Sequence, residues 1–294
     1  MAYPQEDLLT FCSLYRSPLV SVREYTCRAG RGGPAREEYS GIDNIVLMRH
    51  GAFCKHLGRQ VVTAGVNQAM FFAKGSSYRV SHPADCGDRG TTLDPAPEVL
   101  REIMSEFDPA AQDRPDCSFP FFTSPVPKAL FWKHHRFLRR LESSPTERLD
   151  SLWVETEVLR IVADIVGAAY ERRESGRVRT RRSTQADHAE RAEAAKAYLA
   201  SRLGGRITLA NIARAVHLSP FHLTRVFREQ VGMPLHRYLT QLRLRAALEH
   251  LANGQDDLTA LALKLGFSSH SHFTDAFRRE FGNTPSSIRV ARHI

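Results

Sequence analysis

Apolar positions change their period along the chain. From about residue 18 to residue 100 they alternate. SVREYTCRA and NIVLMRHGAFCKHL place apolar side chains at every second position, and RQVVTAGVNQAMFFAKGSSYRVSHP adds β-branched and aromatic runs cut by Gly and Pro. A period of two marks strands. Short strands with frequent breakers predict a small sandwich or barrel. DPAAQDRPDCSFPFFTSPVP carries too many prolines for a helix and reads as a loop. Two helices follow within residues 128–173. The second has apolar residues at Leu149, Leu152, Trp153, Val158, Leu159, Ile161, Val162 and Ile165. That stripe is wider than a solvated helix needs, so it packs on its own domain or on a second subunit. Residues 174–186 have no apolar period and read as an exposed linker or helix extension.

The last third is helical and repeats itself. Leu223, Thr224, Phe227, Arg228 and Gly232 recur as Phe273, Thr274, Phe277, Arg278 and Gly282, at an offset of 50. Each unit reads as a short helix, a tight turn and a second helix. Ser219 is a good N-cap with Pro220 at the first helical position, and Ser268 or Ser269 caps the later helix. Helical spacing turns Leu223, Val226 and Phe227 inward in the first unit, and Phe273, Ala276, Phe277 and Phe281 in the second. A long helix joins the units and ends at Asn253–Gly254.

Charge sharpens this division. The net charge is +9. Residues 1–169 hold 20 Lys/Arg against 21 Asp/Glu, residues 170–184 hold 6 against 2, and residues 185–294 hold 15 against 9. Positive charge concentrated in the linker and the helical third points to phosphate. Five widely spaced cysteines make no disulfide framework and fit reduced thiols. No secretory leader or membrane-crossing run is legible, so a cytoplasmic protein without membrane contact is expected.

The outward faces of the two later helices suit DNA. In a helix-turn-helix unit the second helix enters the major groove and its first residues meet base edges. Here those faces carry Phe221, His222, Thr224, Arg225 and Arg228, then His270, Ser271, His272, Asp275, Arg278 and Arg279. Short Ser and Thr side chains allow close approach. Arg225 can reach guanine, and Asp275 can accept from cytosine N4. Arg228, Arg278 and Arg279 suit phosphates, which fix register. Bland readings exist for some of them: Phe221 in the core, and Asp275 paired with Arg278 or Arg279.

Residues 187–294 resemble the DNA-binding domain of the AraC/XylS transcription regulators. The resemblance rests on ITLANIARAVHLSPFHLTRVFREQVG, on LTALALKLGFSSHSHFTDAFRREFG, and on a Pro three residues beyond the second. It implies seven helices with two reading helices, set on major-groove segments roughly one turn apart. It further implies an α+β chain. Residues 1–173 would be an effector-sensing and dimerising domain with a cupin-like barrel (about 18–100) and a helical hairpin (about 128–173). Double-stranded promoter DNA, a small-molecule effector, RNA polymerase and a second copy of the chain are the implied partners, with activation the implied outcome.

The effector site is the least legible part. Period two through NIVLMRHGAFCKHLG puts His50, Cys54 and His56 on one strand face, with Tyr78 and His82 expected nearby. This set is the expected effector site. No metal, cofactor or catalytic residue is assigned. A metal- or redox-responsive regulator using these His and Cys residues is the alternative, because such ligands suit zinc or copper. The His-x-His…Glu pattern of metal-binding cupins is missing, which counts against a cupin oxygenase. The cysteines are too far apart for an alkyl-accepting zinc cluster. G-x-S-x-G, P-loop and dinucleotide fingerprints are also missing, so no enzyme is expected.

Overall fold

The computed structural model describes residues 8–113, 119–143, 150–175, 182–205, 207–252 and 257–290. Among the described residues there are ten strands, nine before the first helix and one after it: β1 Leu9–Arg16, β2 Val20–Cys27, β3 Glu38–Tyr39, β4 Asn44–His50, β5 Ala52–Leu57, β6 Gln60–Gly65, β7 Gln68–Phe72, β8 Ser77–Ser81, β9 Asp88–Pro95 and β10 Thr123–Pro125. They form two antiparallel sheets, in the orders β1-β2-β9-β4-β7-β10 and β3-β8-β5-β6. No pairing joins the two sheets among the described residues, so the arrangement is two facing sheets. The strands begin at Leu9 instead of residue 18, because β1 pairs along β2 from Leu9–Cys27 to Arg16–Ser21. The proline-rich segment contributes β10 on the edge beside β7 and a single 3-10 turn at Pro109–Ala111.

The chain passes from the first sheet to the second at Gly51, between β4 and β5. Its φ is +71°, and an added Cβ would run into the Gly87 carbonyl. Only glycine makes that turn without strain. The crossing ends the alternation read from sequence. His50 belongs to one sheet, and Cys54 and His56 belong to the other.

The helices are α1 Pro97–Ser105, α2 Lys128–Ser143, α3 Ser151–Ser175, α4 Arg182–Ala200, α5 Leu209–Ala215, α6 Pro220–Val231, α7 Leu235–Ala252, α8 Leu258–Lys264, α9 His270–Phe281 and α10 Pro285–Val290. Seven of them, α4 to α10, make up the described C-terminal part. Helix extends into the expected linker from both sides. α3 runs to Ser175 and α4 starts at Arg182, so only residues 176–181 of it are not described as helix, and these lie outside the described residues. The expected end of α7 at Asn253–Gly254 also lies outside them, as does Leu149. The α3 stripe packs within the chain: Val154, Val158, Ile161, Val162, Ile165 and Val166 are fully buried. Leu152 is the exception, at 72% exposed.

The helical part is docked on the sheets. Arg245 of α7 is buried and donates to the Val66 and Val126 carbonyls, each at 2.8 Å. Its guanidinium lies 4.4 Å from the centre of the Phe131 ring. Glu193 of α4 accepts from the Thr63 backbone N–H at 2.7 Å. Glu249 of α7 accepts from Arg49 at 2.9 Å and from Arg89 at 2.9 Å. Arg49 also holds Glu24 and Glu142. Burial opposes the charge on Arg49, but these three carboxylates outweigh it and raise its pKa.

Candidate nucleic-acid interface and the N-terminal cavity

The outward face of α6 is set by its two ends. The Ser219 hydroxyl accepts from the His222 N–H at 3.3 Å, and Pro220 follows it at the first helical position. Gly232 closes the helix in the left-handed region at φ 82°. Such caps satisfy the free backbone groups that a helix end leaves. α9 is built alike, with Ser269 accepting from the His272 N–H at 3.1 Å and Gly232's counterpart Gly282 at φ 75°. Ser269, and not Ser268, is therefore the cap. Ser268 lies 3.1 Å from His272 Nδ1 through its hydroxyl. The turns before the two helices are not identical. His217 takes the left-handed conformation before α6 at φ 54°, and Gly266 does so before α9 at φ 78°.

The inward faces are closed. Leu223, Val226 and Phe227 are buried, as are Phe273, Ala276, Phe277 and Phe281. Phe273, Phe277 and Phe281 pack edge to face in sequence, with centroids 5.6 and 4.7 Å apart. This aromatic spine presents the polar faces. Thr224, Arg225 and Arg228 are exposed on α6, and His270, Ser271, His272, Asp275, Arg278 and Arg279 are exposed on α9. Phe221 is 80% exposed, which removes it from the core. It borders a surface groove with Thr224, Arg225 and Arg228. A large apolar side chain left in water beside two arginines is the feature of this face that folding alone does not explain.

The structure places three of these residues more closely. His222 is half-buried and turned toward α4, where its ring meets His188 edge to face at 5.3 Å. It therefore does not share the open face of Thr224 and Arg225. Arg279 bonds the Asp275 backbone carbonyl at 3.2 Å, and no ion pair of the Asp275 carboxylate is present among the described residues.

The second feature is a cavity of about 210 Å³ between the two sheets. Tyr25, Val46 and Thr92 line it from one side, and Phe53, Tyr78 and Val80 line it from the other. Of the five expected effector residues, Tyr78 and His82 line it. His50, Cys54 and His56 do not. His50 borders a crevice beside Glu249 and His250. Cys54 faces Thr63 at 3.8 Å, and His56 faces Ser81 at 2.7 Å. The Gly51 crossing explains this, since it moves the lining from even to odd positions: Val46 before it, Phe53 after it.

Three groups near the cavity escaped the sequence reading. Cys27 and Asp88 line its wall together with His82. Burial works against charge on His82, but its bonds to Asp88 and Cys27 outweigh that and push it up to about 9. Lys55 is buried behind the cavity, with Nζ 3.8 Å from the Phe72 ring centre and 2.8 Å from the Phe71 carbonyl. With no carboxylate beside it among the described residues, burial brings Lys55 down to about 8. A Cys closing the strand SVREYTC was the one available signal. Nothing in the sequence marked Asp88 or Lys55.

Residues 212–291 match the family described as a helix-turn-helix domain. The HTH-type transcriptional activator RhaS of Escherichia coli (strain SE11) is 34% identical over 96 residues, which is 33% of this chain and 34% of that protein. RhaS of Escherichia fergusonii is 35% identical over the same length. The match thus spans about a third of these curated relatives. A transcriptional regulator with an AraC-type DNA-binding domain from Chromobacterium violaceum is similar over 35% of this chain and 92% of its own, at 27% identity and a TM-score of 0.34. ToxT from Vibrio cholerae is similar over 92% of this chain and 98% of its own, at 10% identity and a TM-score of 0.36.

Proposed function

With residues 212–291 an AraC-type helix-turn-helix domain, we propose that the whole chain is a sequence-specific transcription regulator governed by a small molecule in its N-terminal domain. Residues 187–294 form the DNA-binding domain in this reading, and residues 1–173 form the sensor. Two helix-turn-helix units, α5–α6 and α8–α9, read two short boxes. Phe221, Thr224 and Arg225 meet bases from α6, and His270, Ser271, His272 and Asp275 meet them from α9. Arg228, Arg278 and Arg279 grip phosphates. The observation that carries this is the pair of helices with matching caps, each closed inward by buried apolar residues and open outward.

The effector occupies the cavity between the sheets, near Tyr78 and His82. An organic molecule suits a space with a largely apolar lining and a few polar groups. Its binding shifts how α7 sits on the sheets, which requires different affinity for the two arrangements. The contacts that would change are those of Arg49 and Arg89 with Glu249, since Arg89 follows Asp88 on the cavity wall. Activation with RNA polymerase, through a homodimer, completes the reading.

Site selection from random duplex DNA with the full chain tests it. Two enriched boxes one helical turn apart are expected, with an affinity that falls steeply with salt. Unchanged DNA binding in the Arg225→Ala, Ser271→Ala double variant would overturn the assigned faces.

A further inference from the structure

The wall of the cavity gathers three ligating groups of different chemistry. Cys27 ends β2 and Asp88 begins β9, and the two are direct partners in the antiparallel ladder. Partners in a ladder hold their side chains on one face. His82 follows β8 and is fixed by an isolated bridge to Gly32. The Cys27 thiol, a His82 ring nitrogen and an Asp88 carboxylate oxygen all lie within 4.8 Å of one another.

A His82–Asp88 ion pair accounts for only two of the three groups. The same nitrogen, His82 Nε2, faces Cys27 Sγ at 3.5 Å and Asp88 Oδ2 at 3.0 Å. It carries at most one proton and can serve one of them. Asp88 is only 3% exposed, and its carboxylate interacts with His82 and with Tyr25. An imidazolium at His82 meets that buried charge but leaves the Cys27 thiol unserved, whereas one metal ion would meet all three groups.

One ion would satisfy all three groups at once. Zinc binds sulfur at about 2.3 Å and nitrogen or oxygen at about 2.0–2.2 Å, tetrahedrally. Those bonds separate sulfur from nitrogen by about 3.5 Å, and nitrogen from oxygen by about 3.3 Å. The observed separations of those two pairs, 3.5 and 3.0 Å, are close to this, and the sulfur and carboxylate oxygen lie within 4.8 Å of one another. Thiolate, imidazole and carboxylate together suit a zinc-class ion over magnesium or calcium. We infer that Cys27, His82 and Asp88 bind one divalent transition-metal ion of the zinc class, with its fourth position open to the cavity. On binding, the thiol and any imidazolium give their protons to solvent. The inference stands whether or not the chain reads DNA, because its readout involves none.

The test uses the full chain, stripped by chelation and titrated with Co²⁺. One equivalent is expected to bind, with tetrahedral ligand-field bands and a thiolate-to-cobalt charge-transfer band, all displaced by Zn²⁺. Cys27→Ser should abolish the charge-transfer band, and His82→Gln or Asp88→Asn should each weaken binding by about tenfold or more. Cys54→Ser and Cys86→Ser should leave the spectrum unchanged. Should Cys27→Ser fail to fold, Zn²⁺ must protect Cys27 of the wild-type chain from alkylation, measured by peptide mass, while leaving Cys12 and Cys86 reactive. Absence of stoichiometric binding, a spectrum without thiolate character, or a band that survives Cys27→Ser would overturn the site.

Discussion

Replacing Arg245 by Met tests what holds the helical part on the sheets. The guanidinium is fully enclosed and bonds two carbonyls from the other half of the chain, Val66 and Val126. Met keeps most of the apolar stem and removes both donors. Two buried carbonyls then go unmet, at about 1–3 kcal/mol each. The attraction to the Phe131 ring, about 1–2 kcal/mol for a desolvated pair, is lost as well. Against this, the buried charge is itself expensive. Burial brings Arg245 down to about 10 from the usual guanidinium value, which corresponds to about 3 kcal/mol recovered on its removal. Middle values leave a net destabilisation of about 2–3 kcal/mol. Urea unfolding measures it. Trp132 is a built-in reporter, because its ring lies 5.4 Å from that of Phe281 on α9. Arg245→Lys should fall between the two, since one ammonium cannot span both carbonyls as a planar fork does. A Met variant as stable as the parent would refute the reasoning, and would mean that the cost of the buried charge cancels its bonds.

Three further outcomes are expected. Phe221→Ala should change stability by less than about 0.5 kcal/mol, as an exposed substitution does, yet weaken DNA binding in a gel-shift titration; equal DNA affinity would remove Phe221 from the interface. Lys55 has a folded pKa of about 8 against a usual 10.5, so the unfolded chain holds more protons between those values and stability should rise with pH across that window, by at most about 3 kcal/mol. Lys55→Met should flatten the rise between about pH 8 and 10.5 in urea midpoints, and an identical rise in both proteins would show that other groups cause it. Gly51→Ala combines a left-handed φ with a clash against the Gly87 carbonyl. It should cost several kcal/mol, about 3 or more, and a melting temperature equal to the parent's would sink the crossover argument.

Much of the helical third was determined by local physics that any reader of the sequence can apply. A Ser at an N-cap, a Gly that can turn left-handed and a 3.6-residue apolar period act within a few residues of one another. Ser219, Gly232 and Gly282 were therefore legible, and so were the buried faces of α6 and α9. The alternation that marks the strands is equally local. Tertiary structure decided everything that depends on which distant segments meet. Cys27 and Asp88 face one another only because β2 pairs with β9 in one register, and pairing energy is not written in either strand alone. His50 and Cys54 lie on different sheets because one glycine redirects the chain, a change of face that period-two reasoning cannot foresee. His222 turned inward because α4 supplied His188 as a neighbour. Arg245 looks like a surface residue of a helix, and it is buried because carbonyls more than a hundred residues away need its protons.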